Sequence, residues 1–499
     1  MRAPTDLPPP PRWLHLLFLA GIAGLAVWLR LRHVGALSFW LDEVASVRFA
    51  ELPVADLWGA DNHPPLFYFL LHFWLEWVGY DEGRLRLLTV AISLATLPAV
   101  YLVGRRIGGP WVALAATLVV ACSPFEVRYA QELRMYSLLS CAVAWTLVGF
   151  GALVADPERA ARRESRGAWA LLVAGTGVAL YAQHLAVLLP MTTTLLVCLL
   201  WWRLPQRSAL AWRWAAAHVA VLLIWMPFWP ELLRQTGVTT WQWIEAPTVD
   251  FIAYVQLQLA YGLPNVTEPL SGPGFAGLLV LTVLGWCALP RRSPWRLALP
   301  VLALLPALVA LAVSWLYRPV YLARPLIWTG LPVALLVAAG LVAALSLRPL
   351  RWRVAGAIVL VLAVAGSGYG LWFHYKVFGK ANWRDVAPLV WELTGPGETV
   401  VVPNSEFVAL DYYLERVAGE QRPHVLGTWS RQPIRALALV AAIPASAQGF
   451  MLVDVTWKHD MLLLSSALHW RFPCHQANQV GRRHGIDLWR YEPQESCGQ

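Results

Sequence analysis

Long stretches without charged side chains are the dominant feature of this sequence. The longest, Gly167–Trp202, runs for 36 residues without Asp, Glu, Lys or Arg. A membrane-spanning helix needs about 20 apolar residues, so this stretch predicts two spans with a turn near Gln183-His184. Charged residues make up only 14% of the 499-residue chain, whereas soluble proteins have about 25%. The sequence therefore predicts a polytopic membrane protein and argues against a disordered chain, a coiled coil or a soluble enzyme.

Nine further uncharged stretches are interpreted as membrane spans. They are Trp13–Leu29, Leu87–Gly104, Trp111–Phe125, Met135–Ala155, Trp214–Pro230, Pro269–Pro290, Leu297–Tyr317, Pro325–Leu347 and Val354–Phe373. Together with the double stretch they predict a mostly α-helical bundle of about eleven spans. The first is interpreted as an anchor helix, because no small-residue cleavage site follows it.

Arginines in the short loops predict the orientation of the bundle. Five groups fall on one side, at Arg105-Arg106, Arg159–Arg166, Arg203–Arg213, Arg291–Arg296 and Arg348–Arg353. Because an arginine excess marks the cytoplasmic side, the N-terminus is predicted to be cytoplasmic. The net charge of +9 is thus assigned to topology and not to nucleic-acid binding. This orientation requires that the apolar segment Pro64–Gly79 does not cross, so we expect it at the outer interface or re-entering.

The C-terminal part differs in composition from the rest, since residues 374–499 hold all three lysines and more polar residues. The runs TVVV at 399–402, ALALV at 436–440 and FMLVDV at 450–455 are typical of strands and alternate with helix-like stretches. We therefore predict a transmembrane domain, residues 1–373, whose first outer loop covers 31–86. A small extracytoplasmic α/β domain, residues 374–499, would follow, where an oxidising compartment permits a Cys474–Cys497 disulfide.

Two adjacent acids, Asp42 and Glu43, follow the first span within FWLDEVASVRFA. Adjacent carboxylates on a helix point in different directions, so one suits a general base and the other a metal or a substrate-positioning role. Two solvated loop acids are the alternative. The apolar neighbours favour function, because acids in an interface-seeking segment are costly unless they are used.

A second polar cluster, Asp61, Asn62 and His63, precedes a pair of prolines. Paired prolines begin a helix, so Asp61 or Asn62 is suited to capping it. His63 is a candidate for contacting a phosphate or a hydroxyl group. His184, a lone histidine at the predicted outer turn, is a further candidate.

Arginines also occur on the side that topology disfavours. Arg134 stands beside Tyr136 at the outer mouth of a span, where a phosphate is a natural partner for a guanidinium group. Arg128 has two interpretations, a substrate contact or an ion pair with Glu132 four residues on. Arg324, with Tyr321 just upstream, lies at the outer mouth of a later span and is a second candidate for binding a phosphate. The alternative interpretation is that its side chain extends to the lipid headgroups.

The order of these motifs resembles a known family. Asp42-Glu43 come first, then His63-Pro64-Pro65-Leu66, RLL at 86–88, GRRIGG at 104–109 and ELRMYSL at 132–138. This order is similar to that of GT-C fold membrane glycosyltransferases, above all the glycosyltransferase 39, aminoarabinose transferase and galacturonosyltransferase-like group. The likeness is specific over about residues 10–190, topological to about 375 and weak in the tail.

The resemblance implies transfer of a sugar from a polyprenyl-phosphate-linked donor on the periplasmic side of a bacterial inner membrane. It implies that Asp42 is the general base, that Glu43 is the second acid of the pair, and that the reaction inverts the anomeric carbon. The acceptor would be a lipid, a polysaccharide or a protein. One departure is that Arg324 is followed by Pro325, where relatives often have Arg-Tyr.

In this scheme Arg134 and Arg324 stabilise the charge that grows on the phosphate. No cofactor is required, and a divalent metal near Glu43 is compatible with the scheme although no ligand spacing demands one. The alternative function is a transporter or flippase of lipid-linked sugars, which also needs an amphiphilic cavity. Transporters usually have two related halves, and no second copy of the Asp-Glu or His-Pro-Pro segments occurs.

Overall fold

The computed structural model describes residues 8–155, 165–200, 207–236, 244, 246–265, 267–347, 350–428, 433–444, 449–455, 461–483 and 485–494. They form two compact units. We call Met1–Val34 with Leu52–Phe378 the membrane unit, and Gly35–Glu51 with Gly379–Gln499 the sheet unit. Several residues used in the predictions lie outside the described ranges, namely Arg159, Arg162, Arg163, Arg203, Arg348 and Cys497.

The described part of the membrane unit is helical. Its first half contains α1 (Arg12–Leu31), α3 (Leu66–Val78), α4 (Glu82–Ala121), α5 (Pro124–Ala130), α6 (Tyr136–Ala155), α7 (Arg166–Ala182) and α8 (Leu188–Leu200); α2 (Leu41–Ala50) belongs to the sheet unit. Its second half contains α9 (Arg207–Trp225), α10 (Trp229–Thr236), α11 (Val249–Tyr261), α12 (Ser271–Ala288), α13 (Trp295–Leu316), α14 (Gly330–Leu345) and α15 (Leu350–Lys376). Short 3-10 turns lie at Val54–Gly59, His184–Val187, Met226–Phe228 and Arg324–Thr329.

The predicted spans correspond to these helices. Eight described helices are long and apolar enough to cross a bilayer. One of them, α4, covers two predicted spans, and the shorter α7 and α8 cover the two predicted within Gly167–Trp202. The chain is therefore a multi-pass membrane protein, as its hydropathy predicts.

The α4 helix is too long to be one span, since 40 residues correspond to about 60 Å of helix. It breaks at Gly108 and Gly109, and Gly109 has a φ of 77° that favours glycine. Pro110 follows at the start of the second arm, where proline is tolerated. A Cβ atom on Gly104 would lie 2.9 Å from the Cα of Ala113, so the two arms pack directly against each other.

The predicted turn in Gly167–Trp202 is confirmed. Gln183 has extended backbone and ends α7, and its side-chain oxygen accepts a hydrogen bond from the amide of Leu185 in the 3-10 turn before α8. The ambiguous segment Pro64–Gly79 forms α3, which has 13 residues. At 1.5 Å per residue, α3 is about 20 Å long, shorter than the hydrocarbon core of about 30 Å.

The sheet unit contains a five-stranded sheet in the order β2-β1-β3-β5-β4. Its elements are α2, α16 (Trp383–Leu393), β1 (Thr399–Val402), α17 (Phe407–Ala418), β2 (His424–Gly427), α18 (Pro433–Ala442), β3 (Phe450–Val455), α19 (Met461–Arg471), β4 (His475–Arg483) and β5 (Ile486–Pro493). β1 pairs in parallel with β2 and β3, whereas β5 is antiparallel to β3 and β4. The continuous apolar runs in β1 and β3 fit strands buried on both faces.

Two strand predictions are confirmed and one is wrong. TVVV is β1 and FMLVDV lies in β3, but ALALV lies in α18, whose Leu439 and Val440 pack into the core under the sheet. Alanine and leucine, four of the five residues of the run, are strong helix formers, and Val440 is its single β-branched residue. Cys474 is in a disulfide bond; its predicted partner Cys497 lies outside the described residues.

The division of the chain differs from the predicted boundaries at two places. The sheet unit begins at Gly379 instead of residue 374, and it includes Gly35–Glu51 from the predicted first outer loop. Hydrogen bonds explain the inclusion, since Ser38 Oγ donates to the Ala381 carbonyl at 2.8 Å and the Phe39 amide donates to Tyr413 Oη at 2.8 Å. These partners are more than 340 residues apart in sequence, so local pattern did not reveal them.

A buried acid in this sheet predicts a pH-dependent stability. Asp454 on β3 is opposite Asp487 on β5 and is 4% exposed. Burial and the charge of Asp487 raise the pKa of Asp454 to about 6. The folded state therefore binds the proton more tightly than the unfolded state, and this stabilisation is lost as the pH rises through 6. We expect Asp454→Asn to raise the melting temperature of the full-length protein by roughly 2–4 °C at pH 8 and by about half as much at pH 5, because the stabilisation is lost between the unfolded pKa of about 4 and the folded pKa of about 6.

The matched control for that prediction is Asp411→Asn. Asp411 accepts a hydrogen bond from Arg422 at 2.8 Å and is 34% exposed, so its replacement should not stabilise the protein at either pH. Equal melting temperatures of Asp454→Asn and the unmodified chain at pH 8 would contradict the assignment.

Candidate functional site

The two predicted catalytic acids occupy the first turn of α2, where negative charge is favoured by the helix dipole. Glu43 is fully buried, and its Oε2 lies 2.8 Å from Nζ of Lys380, which is itself 7% exposed. The same ammonium group lies 5.7 Å from the centre of the Trp40 ring. Glu43 is therefore engaged in a buried ion pair inside the sheet unit.

Asp42 differs from its neighbour, because its side chain is only half-buried. Its backbone carbonyl accepts a hydrogen bond from Ser46 Oγ at 2.8 Å, an interaction that keeps the first turn of α2 helical. The two carboxylates thus have different surroundings, as their adjacent positions on a helix predict. Asp42 is the acid of the pair that is suited to exchange protons with a ligand.

In the membrane unit, Asp61 is at the centre of a charged cluster. Its Oδ2 lies 2.7 Å from His63 Nδ1 and also accepts a hydrogen bond from the Tyr68 hydroxyl. Arg134 Nη1 lies 3.4 Å from the same hydroxyl oxygen. Burial alone would raise the pKa of Asp61, but His63, Arg134 and Tyr68 outweigh it and hold the pKa well below its usual range. Asp61 therefore stays ionised and holds His63 through a protonated Nδ1.

This result corrects the capping interpretation of Asp61. The residue before α3 is Pro65, and no side chain caps that helix. The Asp61 Oδ1 atom instead accepts a hydrogen bond from the amide of Asn62 at 2.7 Å. Asp61 was missed as a site residue because its partners Tyr68 and Arg134 come from other parts of the chain.

His184 supports the same segment from the turn before α8. Its Nε2 lies 3.0 Å from both the Asn62 carbonyl and Gln235 Oε1. Both partners are acceptors, so Nε2 carries the proton. Gln235 in turn donates to the Asp61 carbonyl at 2.9 Å. The structure therefore gives His184 a contact with the backbone that carries His63.

The predicted cations and tyrosines lie where α5, α6 and the 3-10 turn Arg324–Thr329 meet. Arg134 and Tyr136 are buried, at 4% and 1% exposure. The Arg324 guanidinium lies 6.0 Å from the centre of the Tyr136 ring. Pro325 is the second residue of the turn, near its N-terminal end, where proline is tolerated. Arg324 is therefore the first residue of this turn.

Two further predicted residues have defined partners in the membrane unit. Tyr321 Oη accepts a hydrogen bond from Gln256 Nε2 at 3.0 Å. Arg128 donates to Gln258 Oε1 at 3.2 Å, and its guanidinium lies 4.1 Å from the centre of the Phe378 ring. The partners that hold Arg128 are therefore Gln258 and Phe378, and not Glu132 as the alternative interpretation predicts.

A cavity of about 550 Å³ lies in the same unit. Its walls come from the end of α4, from α5 and from α11 to α14, and they are mostly apolar. Gln256, the partner of Tyr321, and Glu126 are among its few polar lining residues. Within the described residues, no group of three or more His, Cys, Asp or Glu is arranged to hold a metal ion.

Comparison with known proteins supports the interpretation from the motifs. The family model for dolichyl-phosphate-mannose-protein mannosyltransferase matches residues 62–230, the part that carries the His63, Arg134 and His184 clusters. No curated protein matches this chain.

Solved structures share the fold over nearly the whole chain. ArnT from Cupriavidus metallidurans in the apo state is 16% identical, with a TM-score of 0.59, and the match covers 96% of this chain and 97% of ArnT. The form bound to undecaprenyl phosphate gives a TM-score of 0.57 over 96% and 98% of the two chains. The archaeal oligosaccharyltransferase AglB from Archaeoglobus fulgidus, in complex with an inhibitory peptide and a dolichol-phosphate, is 11% identical, with a TM-score of 0.60 over 97% of this chain and 74% of AglB.

These matches define the class of fold. The chain has the GT-C fold of membrane glycosyltransferases, a helical transmembrane bundle followed by a small C-terminal α/β region. The predicted resemblance is confirmed at this level.

Proposed function

We propose that this chain is a membrane glycosyltransferase that moves a sugar from a polyprenyl-phosphate-linked donor to a hydroxyl group of an envelope acceptor. The observation that carries the proposal is the cluster of Arg134, His63 and Arg324 around Tyr68 and Tyr136. Guanidinium groups on a buried, mostly apolar framework, here those of Arg134 and Arg324, suit a lipid phosphate better than a soluble anion. The GT-C fold and the undecaprenyl phosphate and dolichol-phosphate bound by the neighbouring structures support the same donor class.

The proposed reaction has a single displacement step. The acceptor oxygen attacks the anomeric carbon while its proton passes to the Asp42 carboxylate. The bond between the anomeric carbon and the phosphate oxygen breaks, and its electron pair leaves with the lipid phosphate. Attack opposite to the leaving group inverts the anomeric carbon.

The two acids of the pair are proposed to have different roles. Glu43 is neutralised by Lys380 in a buried pair, so its carboxylate is committed to holding α2 in place. Asp42 is half-buried and is the acid proposed to accept the proton. General-base assistance of this kind contributes about 10²–10⁴-fold to a rate.

The cations are proposed to act on the leaving phosphate. Arg134 and Arg324 supply fixed positive charge, which stabilises the phosphate more as its negative charge grows. His63 is proposed to accept a hydrogen bond at Nε2 from a hydroxyl group of the substrate, because Nδ1 carries the proton toward Asp61. Tyr136, Tyr321 and Arg128 are proposed to shape the donor site, and His184 to support the segment that carries His63.

We also propose the setting of the reaction. The arginine-rich loops favour a cytoplasmic N-terminus and a periplasmic sheet unit in a bacterial inner membrane. The acceptor is proposed to be a lipid, a glycan or a protein of the envelope.

The proposal is tested with the full-length protein in proteoliposomes that contain polyprenyl-phosphate-linked sugars with a radiolabelled sugar. On addition of solubilised envelope acceptors, we expect free polyprenyl phosphate to form in step with labelled acceptor. Movement of intact donor across the bilayer without release of polyprenyl phosphate would instead establish the transporter.

A further inference from the structure

The helix α2, which carries Asp42, is too short to be stable by itself. It has 10 residues, and isolated helices shorter than about 12–15 residues are marginal in water. Val44 and Val47 are fully buried and Ala50 is 1% exposed, so one face of the helix is packed into the protein. The position of α2, and of Asp42 with it, is therefore fixed by tertiary contacts within the sheet unit.

The segment before α2 is attached to the later part of the same unit. Arg384 of α16 donates to the carbonyls of Gly35 and Ala36 at 3.2 and 2.9 Å. Ser38 and Phe39 add the two hydrogen bonds described above. These bonds hold the chain where it enters α2, but none of them involves a side chain of the helix itself.

The last turn of α2 is held by charges that water can reach. Arg48 pairs with Glu415 of α17, and Glu51, the residue after the helix, lies 3.3 Å from Arg416. The four side chains are 22–37% exposed, and ion pairs at such positions contribute little to stability. They also lie at the end of α2 that is farther from Asp42.

The first turn of α2 contains the buried contact. The Glu43 side chain is 0% exposed and that of Lys380 is 7% exposed, and Oε2 and Nζ are 2.8 Å apart. Removing one partner of a buried ion pair is strongly destabilising, because the other charge is left uncompensated. Since Glu43 is next to Asp42, the contact whose loss should disturb α2 most is made one residue from the proposed base.

We propose that Lys380 is a positioning residue of the transfer reaction, because its ion pair with Glu43 fixes the first turn of α2 and thereby the carboxylate of Asp42. This inference rests on the proposed role of Asp42 as general base. Lys380 acts through Glu43 and exchanges no proton with the substrate. The C-terminal sheet unit thus contributes to catalysis by holding the base.

The test measures Lys380→Met in the full-length protein in proteoliposomes, with release of free polyprenyl phosphate as the rate. The rate is expressed per folded protein, which removes the loss that unfolding alone would cause. A displacement of about 1 Å can cost about 10²-fold in rate, so we expect the turnover number to fall by about 10²-fold. The KM for donor should change less than about twofold, because Lys380 holds the base and not the donor.

A double variant separates position from charge. Glu43→Leu/Lys380→Met replaces the ion pair by apolar side chains of similar volume, an exchange that often leaves stability unchanged or increases it. With the first turn packed in place again, its turnover number should exceed that of Lys380→Met at least about tenfold. A folded double variant as slow as Lys380→Met would show that the charges themselves are needed, and would overturn the positioning role.

Hydrogen–deuterium exchange of the α2 amides reports the placement of the helix without any reaction. Exchange should increase in Lys380→Met and return toward the unmodified level in the double variant. The control is Arg490→Met, which removes a different ion pair of the sheet unit, with Glu398 at 3.0 Å. It should change neither the exchange of α2 nor the turnover number.

Failure of this inference and failure of the proposed function give different results. Absence of sugar transfer by the unmodified chain would refute the proposed function, and the positioning role with it. Transfer by the unmodified chain, with the same turnover number and the same α2 exchange in folded Lys380→Met, would overturn the positioning role alone.

Discussion

Replacing Asp42 by asparagine is expected to lower the turnover rate of sugar transfer by about 10²–10⁴-fold, because the amide cannot take the proton of the acceptor hydroxyl. The change is nearly isosteric, and the Ser46 bond is made to the backbone carbonyl of Asp42, so α2 should remain intact. The Glu43–Lys380 ion pair is also preserved. The measurement is the initial rate of free polyprenyl phosphate release at saturating donor and acceptor.

The control for Asp42 is Asp56→Asn, which changes an exposed acid on the 3-10 turn Val54–Gly59. This variant should retain the full rate. A folded Asp42→Asn protein that transfers sugar at the unmodified rate would remove Asp42 from the mechanism, although the donor class proposed from the arginines would still stand.

The second large effect is expected for Arg134→Ala. Removing a preorganised positive group from a developing negative charge costs about 10²–10³-fold in rate. The change should lower the turnover rate more than it raises the KM for donor, because the charge on the phosphate grows as the bond breaks. The turnover rate of Arg134→Lys should lie between those of the unmodified chain and Arg134→Ala, since lysine keeps the charge but loses the planar donor geometry.

Arg134 is also near Asp61 and Tyr68, so its loss could act through folding. Thermal unfolding of each variant separates a loss of stability from a loss of catalysis. The double variant Asp61→Asn/Arg134→Ala removes one negative and one positive charge, so it restores the charge balance around Tyr68. The surface control is Arg84→Ala, which removes an exposed arginine from α4 and should leave the rate unchanged. An unmodified turnover rate in folded Arg134→Ala would contradict the phosphate role.

Much of the membrane unit could be predicted because its signal is local. Each span is a continuous apolar stretch, and the turn at Gln183 and the break at Gly108-Gly109 are made by residues next to the spans. The error at ALALV arose in the sheet unit, where a short apolar run fits a buried helix as well as a strand. Residue composition within the run, rich in alanine and leucine, was the signal that favoured the helix.

The candidate site was predictable in part. Arg134 and Arg324 were identified from their positions at span ends, where topology gives a positive charge no purpose, and His63 from the polar cluster that precedes Pro64-Pro65. Asp61 and Lys380 were not, although the rarity of lysine, with three in the chain, marked Lys380 as unusual.

Hydropathy and charge along the sequence were enough to predict a chain that crosses the membrane many times, with an acid pair and with arginines on the side that topology disfavours, because these properties belong to individual residues and their near neighbours. The partners of the acids and arginines became known from the fold. Glu43 meets Lys380 across 337 residues and Arg134 meets Tyr68 across 66. Such pairings depend on how distant segments fold together, and neighbouring residues in the sequence do not encode them.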